Sequence, residues 1–185
     1  MNFARIRAIA IVGVLVIAAI VIAEVARASD KQSHASYANN CPAGSISVTT
    51  APLPEYQDIK VSVYNGSNVA GQAQSVADEL AHRGFKVQKL AKNADKPITR
   101  HIADIYYGPK TVAAAWVVRA EFVLTQQDSD SDMHFNIKST SDTVQIILGT
   151  NFLALGSQTQ VNQAIAALKT PPAPPGTCAI SAAGS

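Results

Sequence analysis

The residues best suited to chemistry in this chain form the run Tyr64-Asn65-Gly66-Ser67-Asn68, between a predicted strand and a predicted helix. A helix start presents unpaired N–H groups and a partial positive charge, so this turn could bind a carboxylate or a phosphate. Tyr64 belongs to a strand face expected to be open, where its ring could stack on sugars. The alternative is a structural turn, in which Asn65 and Gly66 tolerate positive φ and Ser67 caps the helix. We take this run as the candidate ligand-binding site.

Common catalytic patterns do not fit the sequence. Gly66 and Gly71 have the spacing of a phosphate loop, but Gln72 and Ala73 stand where Lys and Ser or Thr are required. No Gly-x-Ser-x-Gly elbow or Cys/His pair indicates a nucleophile. The histidines show no ligand spacing and are predicted to be surface residues: His34, His82, His101 and His134.

A run from Asp128 to Asp132, with Asp at every second position, begins like a calcium loop. Met133 and Ser139 stand where such a loop needs Gly and a bidentate Glu, so we interpret the run as a solvated acidic loop. The sequence therefore predicts no catalytic residue, no metal site and no cofactor. An enzyme with an unrecognised site remains the third hypothesis for function.

The N-terminus carries a targeting element. Arg5 and Arg7 precede an uncharged apolar run from Ala8 to Ala23, which as a helix would extend about 24 Å. The positive-inside rule predicts a cytoplasmic segment 1–7, a transmembrane signal anchor 8–25, and export of everything that follows. Cleavage of a signal peptide after Ala28 is the alternative. With the anchor retained, the protein would be a single-pass membrane protein with an extracytoplasmic domain.

Composition limits what that domain can be. The chain has 185 residues, of which 15% are charged, and a net charge of +2. This balance excludes a strongly basic nucleic-acid binder, and the length allows one domain beside the anchor.

The two cysteines, Cys41 and Cys178, bracket nearly the whole exported region. In an oxidising compartment they should form a disulfide that joins both ends of the domain. Two unrelated free thiols are the alternative. The sequence around each cysteine is rich in Pro and Gly, which predicts an extracytoplasmic linker at 26–55, a folded domain at 56–169 and a Pro-rich tail at 170–185.

Inside the domain the hydrophobic period alternates between two and 3.6. Alternation at Ile59, Val61 and Val63 predicts a strand, and the following helix has an apolar stripe from Val69 to Leu80. The order β-α-β-β-α-β-α predicts an α/β (α+β) two-layer sandwich with helices on one face of a small mixed sheet. Further elements are predicted as strands at Phe85 to Leu90, Ile102 to Tyr107, near Phe135 and at Val144 to Leu148, and as helices at Lys110 to Phe122 and after a capping box at Ser157. The open sheet face is expected to carry Lys60, Ser62, Tyr64 and Gln145.

Several segments, in order, carry a family resemblance: Val61-Ser62-Val63-Tyr64-Asn65-Gly66-Ser67, Gly71-Gln72-Ala73, Arg83-Gly84-Phe85-Lys86-Val87, Ile105-Tyr106-Tyr107-Gly108, and Ile146-Ile147-Leu148-Gly149-Thr150-Asn151-Phe152. Together they resemble the LytR C-terminal domain family over about residues 58–152. The resemblance implies a stand-alone, single-pass envelope-integrity protein of the actinobacterial, including mycobacterial, type. Wall-polymer ligase activity is not implied, because the phosphotransferase domain of such ligases is missing.

The leading hypothesis is a non-catalytic, membrane-anchored extracytoplasmic domain that supports the cell envelope, by binding cell-wall polymer such as peptidoglycan or an attached glycan, or by scaffolding envelope proteins. The alternative in the same compartment is a pure protein-interaction module that regulates wall-polymer ligases without glycan affinity.

Overall fold

The computed structural model describes residues 41–94, 101–122 and 131–181. The predicted cytoplasmic segment 1–7, the anchor 8–25 and the linker up to residue 40 lie outside the described residues. Within the described ranges, no helix combines the length and the apolar character that a membrane crossing requires. The strands are β1 Ile46–Ala51, β2 Lys60–Asn65, β3 Lys86–Asn93, β4 Ala103–Tyr107, β5 Ser131–Phe135, β6 Thr143–Leu148 and β7 Thr177–Ser181. The α-helices are α1 Gln72–His82, α2 Val112–Glu121 and α3 Gln158–Leu168.

One mixed sheet has the strand order β3-β2-β6-β4-β5. β2 pairs in parallel with β3 on one side and with β6 on the other. β4 runs antiparallel to β6 and parallel to β5. The link from β2 to β3 contains α1, as expected because a parallel neighbour needs a crossover.

One face of this sheet is buried against the helices. Val61 and Val63 on β2 are fully buried, as are Val144 and Ile146, which face them in register on β6. Buried side chains recur at every second residue on the strands and about every 3.6 residues on the helices. Each element therefore has one apolar face, and these faces pack together in the core. The helix residues buried in it include Ala73, Val76, Ala77 and Leu80 of α1, and Val112, Ala115 and Val118 of α2.

A second, two-stranded parallel sheet joins the two ends of the described chain. Ser47 of β1 pairs with Cys178 of β7, and Cys178 forms a disulfide with Cys41, with 5.6 Å between the two Cα atoms. The predicted disulfide is therefore confirmed in the structure. Val48 of β1 is buried in the core, whereas its neighbours Ser47 and Thr49 are exposed.

The fold class is α+β, with three helices and a mixed sheet among the described residues, as predicted. The predicted element order lacked β1 and β7, which lie in segments interpreted as linker and tail. β5 ends at Phe135 and so lies just before the short strand predicted there. The predicted capping box opens α3: Ser157 Oγ accepts from the Gln160 N–H, and the Gln160 side chain accepts from the Ser157 N–H.

Candidate functional site

The predicted turn at the end of β2 is built around the Asn65 side chain. Asn65 Oδ1 accepts from the Ser67 N–H at 3.1 Å and from Ser67 Oγ at 2.7 Å. Asn65 Nδ2 donates to the Val69 carbonyl at 2.8 Å, and the Asn65 carbonyl accepts from the Ala94 N–H. Asn65 therefore serves the turn itself, since its side-chain groups are engaged within the loop.

The helix start lies farther along the chain than predicted. α1 begins at Gln72 after Gly71, whose φ of 77° is the left-handed conformation that glycine adopts easily. The prediction that Ser67 caps the helix was wrong, because Ser67 Oγ accepts from the Val69 N–H inside the turn. The argument that this turn binds a carboxylate or phosphate at a helix N-terminus therefore does not apply to Asn65, Gly66, Ser67 and Asn68.

What the turn does form is a polar, uncharged depression of about 480 Å³. Asn68 is exposed at this depression, and Asn93 at the end of β3 is exposed on its other side. Amide groups of this kind both donate and accept hydrogen bonds, as hydroxyl-rich ligands require. Its lining residues are Asn65, Gly66, Ser67, Asn68, Val69, Ala70, Asn93 and Ala94.

Tyr64 lies one residue before the turn, on the sheet face opposite to Val61 and Val63, because side chains alternate along a strand. It is half-buried, and its register partner on β6 is Ile147. Of the residues predicted for this face, Gln145 is exposed and Lys60 is half-exposed, but Ser62 is buried. Ser62 has a short side chain in the middle of β2, whereas the longer side chains of Lys60 and Tyr64 on the same face remain partly exposed.

The same face continues onto β4 and β5, where the sequence predicted no site. Tyr106 stacks on His134 of β5, with 4.4 Å between ring centroids and 16° between ring planes. Asp104 lies two residues before Tyr106, and its Oδ1 accepts from His101 Nδ1 at 2.6 Å. Its other oxygen, Oδ2, lies 3.6 Å from His134 Nε2. The sequence did not predict this cluster, because Asp104 and Tyr106 are distant from His134 along the chain and become its neighbours only when β4 pairs with β5.

A larger groove of about 740 Å³ lies beside α1. Two exposed apolar side chains border it: Leu153, which is 84% exposed, and Val69, which is 56% exposed. Asp78 and Glu79 of α1 also line the groove, together with Arg83 just after the helix.

Arg83 connects this groove to a buried carboxylate. Its Nη1 donates to Glu121 Oε2 at 2.6 Å and to the Gly156 carbonyl at 2.9 Å, while its Nε donates to Glu79. Burial raises the pKa of Glu121, and Arg83 and the Tyr56 hydroxyl oppose this shift. Burial alone would lower the pKa of Arg83, but Glu79 and Glu121 together raise it. The network joins the ends of α1 and α2 and has a structural role.

Residues 58–152, just over half of the chain, match the family described as LytR cell envelope-related transcriptional attenuator. The chain belongs to this LytR C-terminal domain family. Close contacts explain why two positions of the family segments are glycine. A Cβ at Gly149 would collide with the main chain of His101, and one at Gly108 would crowd Ser139.

A solved structure supports the fold. The soluble domain of a conserved hypothetical secreted protein from Mycobacterium marinum is 29% identical to this LytR C-terminal domain protein, with a TM-score of 0.51. The similarity covers 65% of this chain and 76% of that one. No curated protein matches the sequence.

Proposed function

We propose that this protein is a non-catalytic, membrane-anchored extracytoplasmic domain that supports cell-envelope integrity by binding cell-wall polymer. Three observations support the compartment: the family description concerns the cell envelope, the similar mycobacterial protein is described as secreted, and Cys41 and Cys178 are oxidised, as is usual outside the cytoplasm. The family description names an attenuator and no catalytic activity, which supports a binding function.

The observation that carries the binding proposal is the polar, uncharged depression at the end of β2, next to the half-buried ring of Tyr64. An aromatic ring beside amide groups is suited to a sugar, whose ring has an apolar face and a hydroxyl rim. In this proposal Tyr64 and Asn68 contact the polymer. Asn65, Gly66 and Ser67 hold the loop that presents them.

Co-sedimentation with purified, insoluble peptidoglycan tests the proposal, using the full chain in mild detergent. Loss of one aromatic contact, worth about 1.4 kcal/mol, corresponds to a tenfold change in affinity, so Tyr64→Ala should bind about tenfold more weakly. Asn68→Ala is preferable to Asn65→Ala, because the internal bonds of the turn use Asn65 and Ser67 rather than the Asn68 side chain. We expect Asn68→Ala to weaken binding as well.

Gln163→Ala is a matched control, because Gln163 is exposed on α3, outside the depression. It should bind like the unmodified protein. If the unmodified protein stays in the supernatant while its unfolding curve is cooperative, polymer binding is refuted.

The groove beside α1 favours a second candidate, a protein-interaction module that regulates wall-polymer ligases. Exposed Leu153 and Val69 are suited to an apolar contact. Leu153→Ser should weaken a protein contact at the groove and leave peptidoglycan binding unchanged. In-cell crosslinking from position 153 would identify such a partner, and the absence of any crosslink at that position would count against this candidate.

A further inference from the structure

We infer that the open face of the sheet is an extended saccharide platform, on which a glycan of at least two rings lies across β2, β6 and β4 between Tyr64 and Tyr106. This inference rests on the proposed function and names its ligand more closely. It also adds residues of β4, β5 and β6 to the site.

Register places the two tyrosines on either side of β6. Tyr64 pairs with Ile147, and Tyr106 pairs with Gln145, two residues earlier on the same strand. With strands about 4.8 Å apart and about 3.3 Å per residue, the two tyrosine Cα atoms are about 12 Å apart. Ile147 and Gln145 therefore form the floor between two aromatic side chains.

The Tyr106 ring is oriented by His134. β5 flanks β4 on one side and β6 flanks it on the other, and the near-parallel stack puts one face of the Tyr106 ring against His134 on β5. The other face of the ring is consequently turned towards β6, over Gln145. Tyr106 remains 38% exposed. A ring held in this way loses little freedom when a sugar stacks on it, and such preorganisation improves affinity.

Polar groups between the tyrosines match hydroxyl groups. Gln145 is exposed and offers both a donor and an acceptor. Asp104 is the register partner of Ile147 across β4 and β6, but it is only 7% exposed, and its two oxygens face His101 and His134, so it supports the Tyr106–His134 stack from below.

Charge distinguishes the ligand class. Gln145 and Ile147 of the floor carry no charge. Lys60, farther along β2, is paired with Asp142 at 2.6 Å, and Lys92 is the register partner of Tyr64 on β3, beyond the β2 edge of the platform. The floor between the two tyrosines is therefore complementary to the uncharged sugar backbone of a wall polymer.

Calorimetric titration with β-1,4-linked N-acetylglucosamine oligomers tests the platform, using the full chain in detergent. Affinity should rise steeply between the monosaccharide and the tetramer, because only the longer ligand reaches both tyrosines. Tyr106→Ala should lose about tenfold in affinity for the tetramer, the change that corresponds to about 1.4 kcal/mol. Tyr106→Phe should bind like the unmodified protein, because it keeps the ring. Leu153→Ala removes an exposed apolar side chain from the groove beside α1, outside the platform, and serves as the control.

The outcomes separate this inference from the proposed function. If Tyr64→Ala weakens tetramer binding and Tyr106→Ala, with a native unfolding curve, does not, the platform is wrong while polymer binding stands. A preference for phosphate-bearing polymer over the neutral oligomers would also overturn the platform. If the unmodified protein binds neither the oligomers nor peptidoglycan, both proposals fail.

Discussion

Gly149 and His101 approach so closely that the space for a side chain at Gly149 is taken by the His101 carbonyl group. Two main-chain hydrogen bonds join the same two segments. The Gly149 N–H donates to the Ile102 carbonyl, and the Asn151 N–H donates to the His101 carbonyl. His101 in turn holds Asp104. A glycine just after β6 thus packs against the main chain of the residue that engages the buried Asp104 carboxylate.

Gly149→Ala should destabilise the protein, because overpacking against main chain costs about 1–3 kcal/mol or more. Gly71→Ala should cost about 1–2 kcal/mol, since nothing lies near its Cβ position and only the positive φ opposes it. Urea unfolding of both variants measures the difference. Equal stability of Gly149→Ala and the unmodified protein would contradict the close approach.

Arg83→Met should cost about 3–5 kcal/mol, because it leaves the Glu121 carboxylate buried without its cation. Glu79→Gln, which removes the exposed partner of Arg83, should change the free energy of unfolding by at most about 1 kcal/mol. The double variant Arg83→Met with Glu121→Leu should recover much of the loss, since it removes the unpaired charge as well. A double variant as unstable as Arg83→Met would show that the cost comes from packing.

Glu121 should give the protein a pH dependence of a definite sign. Burial raises its pKa above 4.5 in the folded state, against the opposition of Arg83. Between the unfolded and folded pKa values the folded state holds more protons, so stability falls as pH rises through this window. The contribution is complete below the unfolded pKa and is lost above the folded one.

The measurement is the free energy of unfolding of the unmodified protein minus that of Glu121→Gln, as a function of pH. We expect this difference to decline as pH rises from about 4 and then to become constant. A difference that grows with pH would mean that pairing with Arg83 outweighs burial.

Replacing Cys41 and Cys178 together by Ser should destabilise the protein by up to about 5 kcal/mol, the chain-entropy value for so long a loop; the cysteines are 137 positions apart. Amide exchange should accelerate first in β1 and β7, because among the described strands these two pair only with each other. The single variant Thr49→Ala, at an exposed position of β1, is the control. Unchanged urea unfolding of the double serine variant would refute a stabilising role.

The strands and helices with strong local patterns were predictable. β2 and β6 alternate regularly, and α3 opens with a capping box that needs only neighbouring residues. β1 also alternates, with Val48 and Thr50 buried and Thr49 exposed. Its partner β7 lies at the other end of the chain, however, so local sequence gives no indication that the two pair.

The candidate site was predictable only in part. Tyr64 was expected on the open face from strand alternation, and the turn at Asn65 was expected from its residue types. The Tyr106–His134 stack was not, because it depends on β4 and β5 being neighbours. Helix α1 begins later than the apolar stripe suggested. Val69, the first residue of that stripe, is exposed and belongs to the loop before the helix.

The bond between Cys41 and Cys178 also has a mechanical consequence. It closes a covalent ring around nearly all of the domain, from just before β1 into β7. When the chain is pulled at its two termini, tension passes from residue 41 to residue 178 through sulfur, and the sheet and helices within the ring carry no load. A protein held at one end and bound to a stiff polymer through the open face would instead transmit force through that face, and the disulfide would not shield the ligand contact from this load.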